Sequence, residues 1–165
     1  MKEKKKMWIT RISLDLYGDT FSPKELLKEL KFSYIVFNSN EIKDFKFSNK
    51  DETYGFGSLS LLAPRHYGLQ GDLVDYENWY IDIIKSNISL FEKHEVTEIN
   101  LFMDVFFTKE CNFEIFSRDG LAKIGKFKVA IPISIYKLPE EEIIEMLKEA
   151  DFTKERIQEF IQENK

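Results

Sequence analysis

The feature of this sequence that most constrains its fold is a regular alternation of apolar and polar residues in its second half. Every second residue from Ile99 to Phe107 is apolar, and the same pattern runs from Phe127 to Ile135. A period of two, built from β-branched and aromatic residues, is typical of strands with one buried face. Residues 113–116 are of similar type. The stretch 99–136 therefore predicts the strands of a sheet.

A second periodicity predicts the main helix. Apolar residues recur at three- and four-residue spacing from Leu73 to Phe91, which predicts one long helix over residues 72–95. The remaining elements are predicted from strand alternation and helix-start signals. They are a strand over residues 7–17, a short helix from Ser22 and Pro23 to Lys31, and C-terminal helices that begin at Pro139 and Thr153.

Short connections between alternating strands favour an antiparallel or mixed sheet of four to six strands with helices packed on one face, an α+β two-layer sandwich. Residues 1–138 are predicted to form the sheet domain, and residues 139–165 a helical tail packed on it. Residues 48–72 are irregular, with one short strand at Leu59 and Leu61. Phe102 and Phe106 fall on the second face of their strand, so either the C-terminal helices or a partner should cover them.

Charge is unevenly distributed along the 165 residues, whose formal net charge is −5. Residues 51–110 hold eleven acidic and four basic residues, and residues 139–165 hold nine acidic and four basic residues. Nucleic-acid binding needs a basic face, so this distribution argues against a nucleic acid and permits a basic protein partner. The sequence sets no oligomeric state.

The compartment is predicted from cysteine content and apolar runs. Cys111 is the single cysteine, so no disulfide forms within the chain, and a lone thiol of this kind is typically a small buried apolar residue. The basic residues 1–6 resemble the start of a signal peptide, but Arg11, Asp15 and Asp19 interrupt the apolar run that should follow. A run of about eighteen apolar residues, long enough to span a membrane, is absent. We therefore expect a cytoplasmic protein with no membrane contact.

Motifs for metal and cofactor binding are not found in the sequence. His66 and His94 are the two histidines, and neither has a histidine or cysteine three or four residues away. The pair Gly55 and Gly57 lacks the third glycine and the strand-to-helix context of a phosphate-binding loop. The sequence therefore predicts no metal and no cofactor.

The best enzyme candidate is His66, which stands next to Arg65 and Tyr67 with Asp72 and Asp75 nearby. A loop histidine that is oriented by a carboxylate could act as a general base. No companion nucleophile is identifiable, and a surface histidine without a catalytic role is the competing interpretation.

A binding surface on the long helix is the better supported interpretation. Trp79 lies beside Asp75 and Asp82, which would place an aromatic anchor in an acidic rim, and tryptophan is enriched at binding hot spots. The competing interpretation is that Trp79 packs beneath residues 48–72. The predicted partner-binding residues are Asp51, Glu52, Asp72, Asp75, Trp79 and Asp82.

The order of several short segments resembles an uncharacterised bacterial domain-of-unknown-function family, number forty-two seventy-nine. The segments that carry the resemblance are residues 12–19, residues 21–23, Trp79 at the start of a helix, residues 113–116 and residues 131–136. The family's proline-threonine and lysine-glycine motif is replaced here by residues 34–37, and the helical tail lies outside the resemblance. The resemblance implies a similar fold and no particular activity.

Size, acidity, many aromatic residues and the lack of catalytic motifs together favour a non-enzymatic protein-binding module. The leading hypothesis is a bacterial immunity protein that neutralises a cognate toxin, with a basic toxin domain as its partner. One alternative is a small enzyme that uses His66 as general base. The other is a phage-encoded inhibitor or adaptor.

Overall fold

A computed structural model describes residues 7–109, 112–114 and 116–164, without the side chain of Gln70. The predictions made for residues 1–6, Cys111 and Ile115 lie outside these residues. Within them the strands are β1 (Trp8–Gly18), β2 (Ile35–Asn40), β3 (Phe45–Lys46), β4 (Asn49–Thr53), β5 (Gly57–Leu62), β6 (Gly68–Leu69), β7 (Glu98–Phe107) and β8 (Ile133–Lys137). The helices are α1 (Pro23–Glu29), α2 (Leu73–Lys93), α3 (Arg118–Ile124), α4 (Glu140–Glu149) and α5 (Lys154–Glu163).

The main sheet is mixed and has six strands. Its order is β2-β5-β1-β7-β8, and β6 pairs with the first residues of β1. All of these pairs are antiparallel except β7 with β8, which is parallel. Strands β3 and β4 form a separate two-stranded sheet. The prediction of an α+β fold with a mixed sheet is confirmed.

Alternation along β1 divides the core between the two faces of the sheet. Ile12, Leu14 and Leu16 point to the face covered by α1, α2 and α3, where the larger apolar cluster lies. Met7 and Ile9 point to the opposite face. There they join a second apolar cluster whose other members include residues of α4 and α5. The C-terminal helices therefore cover only one end of this second face.

Two tyrosines of α2 complete a gap in the hydrogen bonding of β1. Ile12 lies between the part of β1 that pairs with β6 and the part that pairs with β5. Its N–H donates to the Tyr76 hydroxyl (3.0 Å), which in turn donates to the carbonyl of His66 (2.9 Å). The Tyr80 hydroxyl donates to the Ile12 carbonyl and accepts from the N–H of Ala63 (3.0 Å). Four backbone groups thus find partners that a continuous ladder would have supplied.

The region after β7 differs from its prediction. The strand predicted over residues 127–135 begins only at Ile133, because Lys128 has a left-handed backbone (φ 53°) and Pro132 has no N–H to donate. The Arg-Asp-Gly sequence at residues 118–120 predicts a break between strands, but these residues begin α3, whose N-cap Ser117 accepts a hydrogen bond from the N–H of Gly120 (3.1 Å). The described residues among 113–116 are not in a strand. Pro132 cannot donate to a ladder, which predicts a strand that is at an edge or bulged, and it directly precedes β8, the last strand in the order of the main sheet.

The irregular region 48–72 contains more sheet than its glycines indicate. Leu59 and Leu61 lie on β5, which is an interior strand between β2 and β1. The first residue of β5 is Gly57, and a glycine is needed there because the chain passes directly against the residues that precede α1. A Cβ on Gly57 would overlap the carbonyl of Phe21. None of the helices in the described part of the chain is both long enough and apolar enough to cross a membrane.

Candidate binding surface

The second face of the sheet is polar where α4 and α5 do not reach it; we call this part the open face. On β1 it begins at Arg11 and continues through Ser13, Asp15 and Tyr17, which are the odd-numbered positions opposite the main core. On β7 the residues in register with these four are Asp104, Phe102, Asn100 and Glu98. Phe106, one step further along β7, is buried with the C-terminal helices, whereas Phe102 remains half-buried. The C-terminal helices thus cover this face at Phe106, and a partner at Phe102 stays a prediction.

An ion pair with aromatic flanks lies where the covered part of this face meets the open face. The Arg11 guanidinium donates through Nη2 (2.6 Å) and Nε (3.1 Å) to the same carboxylate oxygen of Asp104. The guanidinium carbon is 5.0 Å from the ring centre of Phe37 and 5.8 Å from that of Phe106. Arg11 is therefore fixed between two rings by cation–π contacts and an ion pair.

Further along the open face, two buried side-chain oxygens have no hydrogen-bond partner. Asp15, only 6% exposed, faces Asn100 across β1 and β7, and Oδ1 of each is unpaired. The amide nitrogen of Asn100 donates to Glu98 (2.8 Å). Burial raises the pKa of the Asp15 carboxyl, while hydrogen bonds from Ser60 and Ser13 act in the opposite direction. A buried acceptor without a donor costs free energy, so these two oxygens mark a place where stability is not optimised.

An arm rich in exposed aromatic residues extends from the β2 edge of the sheet. We define the arm as residues 37–56, which include β3 and β4. Phe37, Phe45 and Phe47 are 55%, 64% and 99% exposed. Hydrogen bonds from the N–H groups of Tyr54 and Gly55 to the carbonyls of residues 44 and 42 hold the base of the arm. Exposed side chains of this size on one segment are typical of a surface that contacts another protein.

The predicted partner-binding residues are divided between the arm and α2. Asp51 and Glu52 are exposed on β4, and Glu52 forms an ion pair with Lys46 (2.9 Å). Asp75 and Asp82 are exposed on α2. No hydrogen bond, ion pair or ring contact among the described residues joins the two groups.

Two of the predicted residues have structural partners. Trp79 packs edge-on against Phe32 (ring centres 5.8 Å apart) and against Tyr80 (4.7 Å), beside the apolar cluster that includes Leu59 and Leu61. Asp72 accepts from Arg65 (2.6 Å) beside a cavity of about 420 Å³, between residues 64–72 and the start of α5. The side chains of Trp79 and Asp72 are thus largely engaged within the fold.

The structure does not assemble the pair that the enzyme hypothesis requires. Asp72, the carboxylate closest to His66 in the hypothesis, is bound to Arg65 instead. No hydrogen bond or ion pair to the His66 ring is found in the described residues. The imidazole that does contact a carboxylate is that of His94, whose Nε2 lies 3.0 Å from Glu29, beside the ion pair of Glu29 with Lys93. This cluster connects the C-terminal ends of α1 and α2.

The sequence interpretation did not identify the open face as a site, although a signal was present. Arg11, Ser13 and Asp15 share one side of a strand whose other side is apolar, and the polar residues of β7 show the same period. The alternation of residues does not show which strands are neighbours. The pairing of Asp15 with Asn100 is therefore visible only in the folded chain.

Comparison with known proteins gives no relative for this chain: no family model, curated protein or solved structure matches it. The resemblance to family number forty-two seventy-nine therefore stays a prediction.

Proposed function

We propose that this chain is a non-enzymatic, cytoplasmic protein-binding module, and specifically a bacterial immunity protein that neutralises a basic toxin domain by binding it. The observation that carries the proposal is the arm, on which three phenylalanine side chains are more than half exposed. Exposed aromatic groups lose unfavourable contact with water when a partner covers them, and phenylalanine is among the residue types that are enriched in protein interfaces.

Charge supports a basic partner. The chain carries a net charge of −5, and Asp51 and Glu52 lie exposed on the same arm as the phenylalanines. A negative rim around an apolar centre speeds association with a basic protein and disfavours acidic competitors. A phage-encoded inhibitor with a basic target would have the same surface, so the identity of the partner separates these two hypotheses.

The proposal is tested by co-expressing the chain with the proteins encoded beside it and measuring affinity for any that co-purifies. A cognate toxin should bind with a dissociation constant on the order of 1 nM, and cells that carry both should survive. Phe47→Ser should weaken the complex by about tenfold or more, because it removes an exposed anchor. Leu121→Ser is the matched control, since Leu121 is 46% exposed on α3, outside the arm.

The residues on α2 are tested in the same assay. Asp75→Lys and Asp82→Lys reverse charge at exposed positions and should weaken binding only if this face also contacts the partner. Unchanged affinity and unchanged protection in Phe47→Ser, Asp75→Lys and Asp82→Lys together would reject both surfaces. If no protein encoded nearby binds the chain, the immunity hypothesis itself is wrong.

A further inference from the structure

A cleft lies where the open face meets the base of the arm. Its volume is about 390 Å³, which suits a single side chain or a small ligand. The residues that line it are Tyr17, Gly18, Asp19, Phe56, Thr97, Glu98 and Asn100. No basic residue is among them. The cleft is therefore acidic on its rim, with Asp19 and Glu98 exposed to solvent.

The floor of the cleft has more hydrogen-bond acceptors than donors. Asn100 lines it and has an unpaired buried Oδ1, while its amide nitrogen is already bound to Glu98. Asp15 lies directly across from Asn100 on the same face, is 94% buried, and also has an unpaired Oδ1. Arg11, the base on this face, is held by Asp104. Asp15 does not itself line the cleft, so a ligand with N–H donors and a positive charge would contact Asn100, Glu98 and Asp19, and would be attracted by the nearby Asp15 carboxyl.

One wall of the cleft is aromatic. The rings of Tyr17 and Phe56 lie 6.2 Å apart at 59°, and Tyr54 packs edge-on behind Phe56 at 6.0 Å. Aromatic faces attract cations, and arginine stacks on them more readily than lysine because its guanidinium group is planar. The pKa of Tyr17 is raised, first by burial and then by the neighbouring carboxylates of Asp15 and Glu98. These carboxylates place negative charge close to the Tyr17 ring.

We infer that this cleft binds a guanidinium group, presented by an arginine side chain of the protein partner. A guanidinium group has five N–H donors and no acceptor, which complements the carboxylates of Asp19 and Glu98 and the side-chain carbonyl of Asn100. Its charge complements Asp19 and Glu98, and its plane can stack on Tyr17 or Phe56. Within the described residues no group of three or more potential ligands could hold a metal ion, which favours an organic cation over a metal.

The inference depends on the proposed function for the source of the arginine, but the cleft can be tested without any partner. The probe is N-acetyl-arginine N-methylamide, titrated into the isotope-labelled chain and followed by two-dimensional NMR. Its citrulline counterpart has the same shape and no charge. The arginine probe should shift the signals of residues 17–19 and 98–100, with a dissociation constant on the order of 1 mM, and the citrulline probe should not.

Variants separate the cleft from general attraction to an acidic protein. Glu98→Gln should weaken the arginine probe roughly twofold to fivefold, as expected for an exposed charge, and Asp15→Asn about tenfold. Glu155→Gln, which removes an equally exposed charge on α5 at the far end of β1, should change nothing. The inference is wrong if the citrulline probe binds equally well, if the shifts are spread over other acidic surfaces, or if Glu98→Gln has no effect.

Two further measurements identify the source of the ligand. Methylguanidinium that binds as tightly as the arginine probe would show that the cleft takes a free guanidinium compound, and the assignment to a partner's side chain would then be overturned. If a partner is found, Glu98→Gln should weaken that complex as well. A tight complex that is insensitive to Glu98→Gln, combined with no binding of the arginine probe, would reject the cleft while leaving the proposed function intact.

Discussion

Removing one hydroxyl group from Tyr80 should destabilise this protein far more than the size of the change implies. In Tyr80→Phe, the carbonyl of Ile12 and the N–H of Ala63 both lose their partner. Tyr80 is fully buried, so water cannot replace it without opening the core. A buried backbone group left unpaired costs about 1–3 kcal/mol, so we expect the free energy of unfolding to fall by about 2–4 kcal/mol.

The assay is urea denaturation followed by circular dichroism, with thermal unfolding as a second measurement. For a chain of this length, a loss of about 2–4 kcal/mol corresponds to a melting temperature roughly 4–16 °C lower. Tyr136→Phe is the matched control, because the Tyr136 side chain is 45% exposed and its hydroxyl can bond to water. That control should change stability by less than about 0.5 kcal/mol.

The neighbouring Tyr76 provides a sharper test. Tyr76→Phe should also destabilise, since it leaves the N–H of Ile12 and the carbonyl of His66 unpaired. The two hydroxyl oxygens are 3.4 Å apart and serve the same residue of β1, so the double variant should deviate from additivity by about 0.5–3 kcal/mol. A loss below about 0.5 kcal/mol in Tyr80→Phe would refute the claim that these hydroxyls replace strand hydrogen bonds.

Three further predictions concern buried acids and glycines. Burial raises the pKa of Asp15, so the folded chain loses stability as the pH rises through the folded-state pKa and the buried carboxyl becomes charged. Because an asparagine side chain would stay neutral, Asp15→Asn should stabilise the chain by about 1 kcal/mol at pH 7. In denaturation at several pH values, this gain should shrink towards pH 3.8, and a constant gain would contradict the assignment. Glu77→Ala should lower the free energy of unfolding by about 1–3 kcal/mol, because the N–H of Phe116 loses its acceptor (3.0 Å). Glu77→Gln keeps an acceptor oxygen and should lower it less. Gly57→Ala should lower the melting temperature markedly, whereas Gly125→Ala, with open space around it, should leave it unchanged or raise it.

The Asp15 prediction connects stability with function. A substitution that stabilises the free chain and also weakens binding of the arginine probe would show that the buried Asp15 carboxyl is kept for a ligand. A purely structural residue would not behave in this way, because removing it should not change affinity at a cleft that folds normally. Binding sites commonly retain groups that are unfavourable in the free protein.

Sequence patterns were informative where one physical rule dominates a segment. The period of two predicted β1 and β7, and the spacing of apolar residues predicted α2 within two residues at each end. The N-cap role of Thr153 is also confirmed, since its side chain accepts a hydrogen bond from the N–H of Arg156 (3.2 Å). These features depend on residues close together in the chain, so their signal is local.

Prediction failed where distant residues decide the local structure. The apolar alternation from residue 127 onward predicts a strand, but residues 127 and 128 end a helical turn, and the chain joins β7 first at Ala130, through an isolated bridge to Asn100 before β8 begins. Gly120 predicts a break, although it lies inside α3, where Ser117 caps the helix by accepting from its N–H.

The sequence by itself determined which faces of the strands are apolar, where the long helix lies, and that the chain is acidic and rich in aromatic residues. These properties follow from residue type and spacing alone. Only the tertiary structure decided that two tyrosine hydroxyls complete β1, that Trp79 is engaged within the fold, and that Asp15 faces Asn100 above an acidic cleft. The physical reason is that hydrogen bonds and burial depend on which strands become neighbours, and strand order is a property of the whole chain.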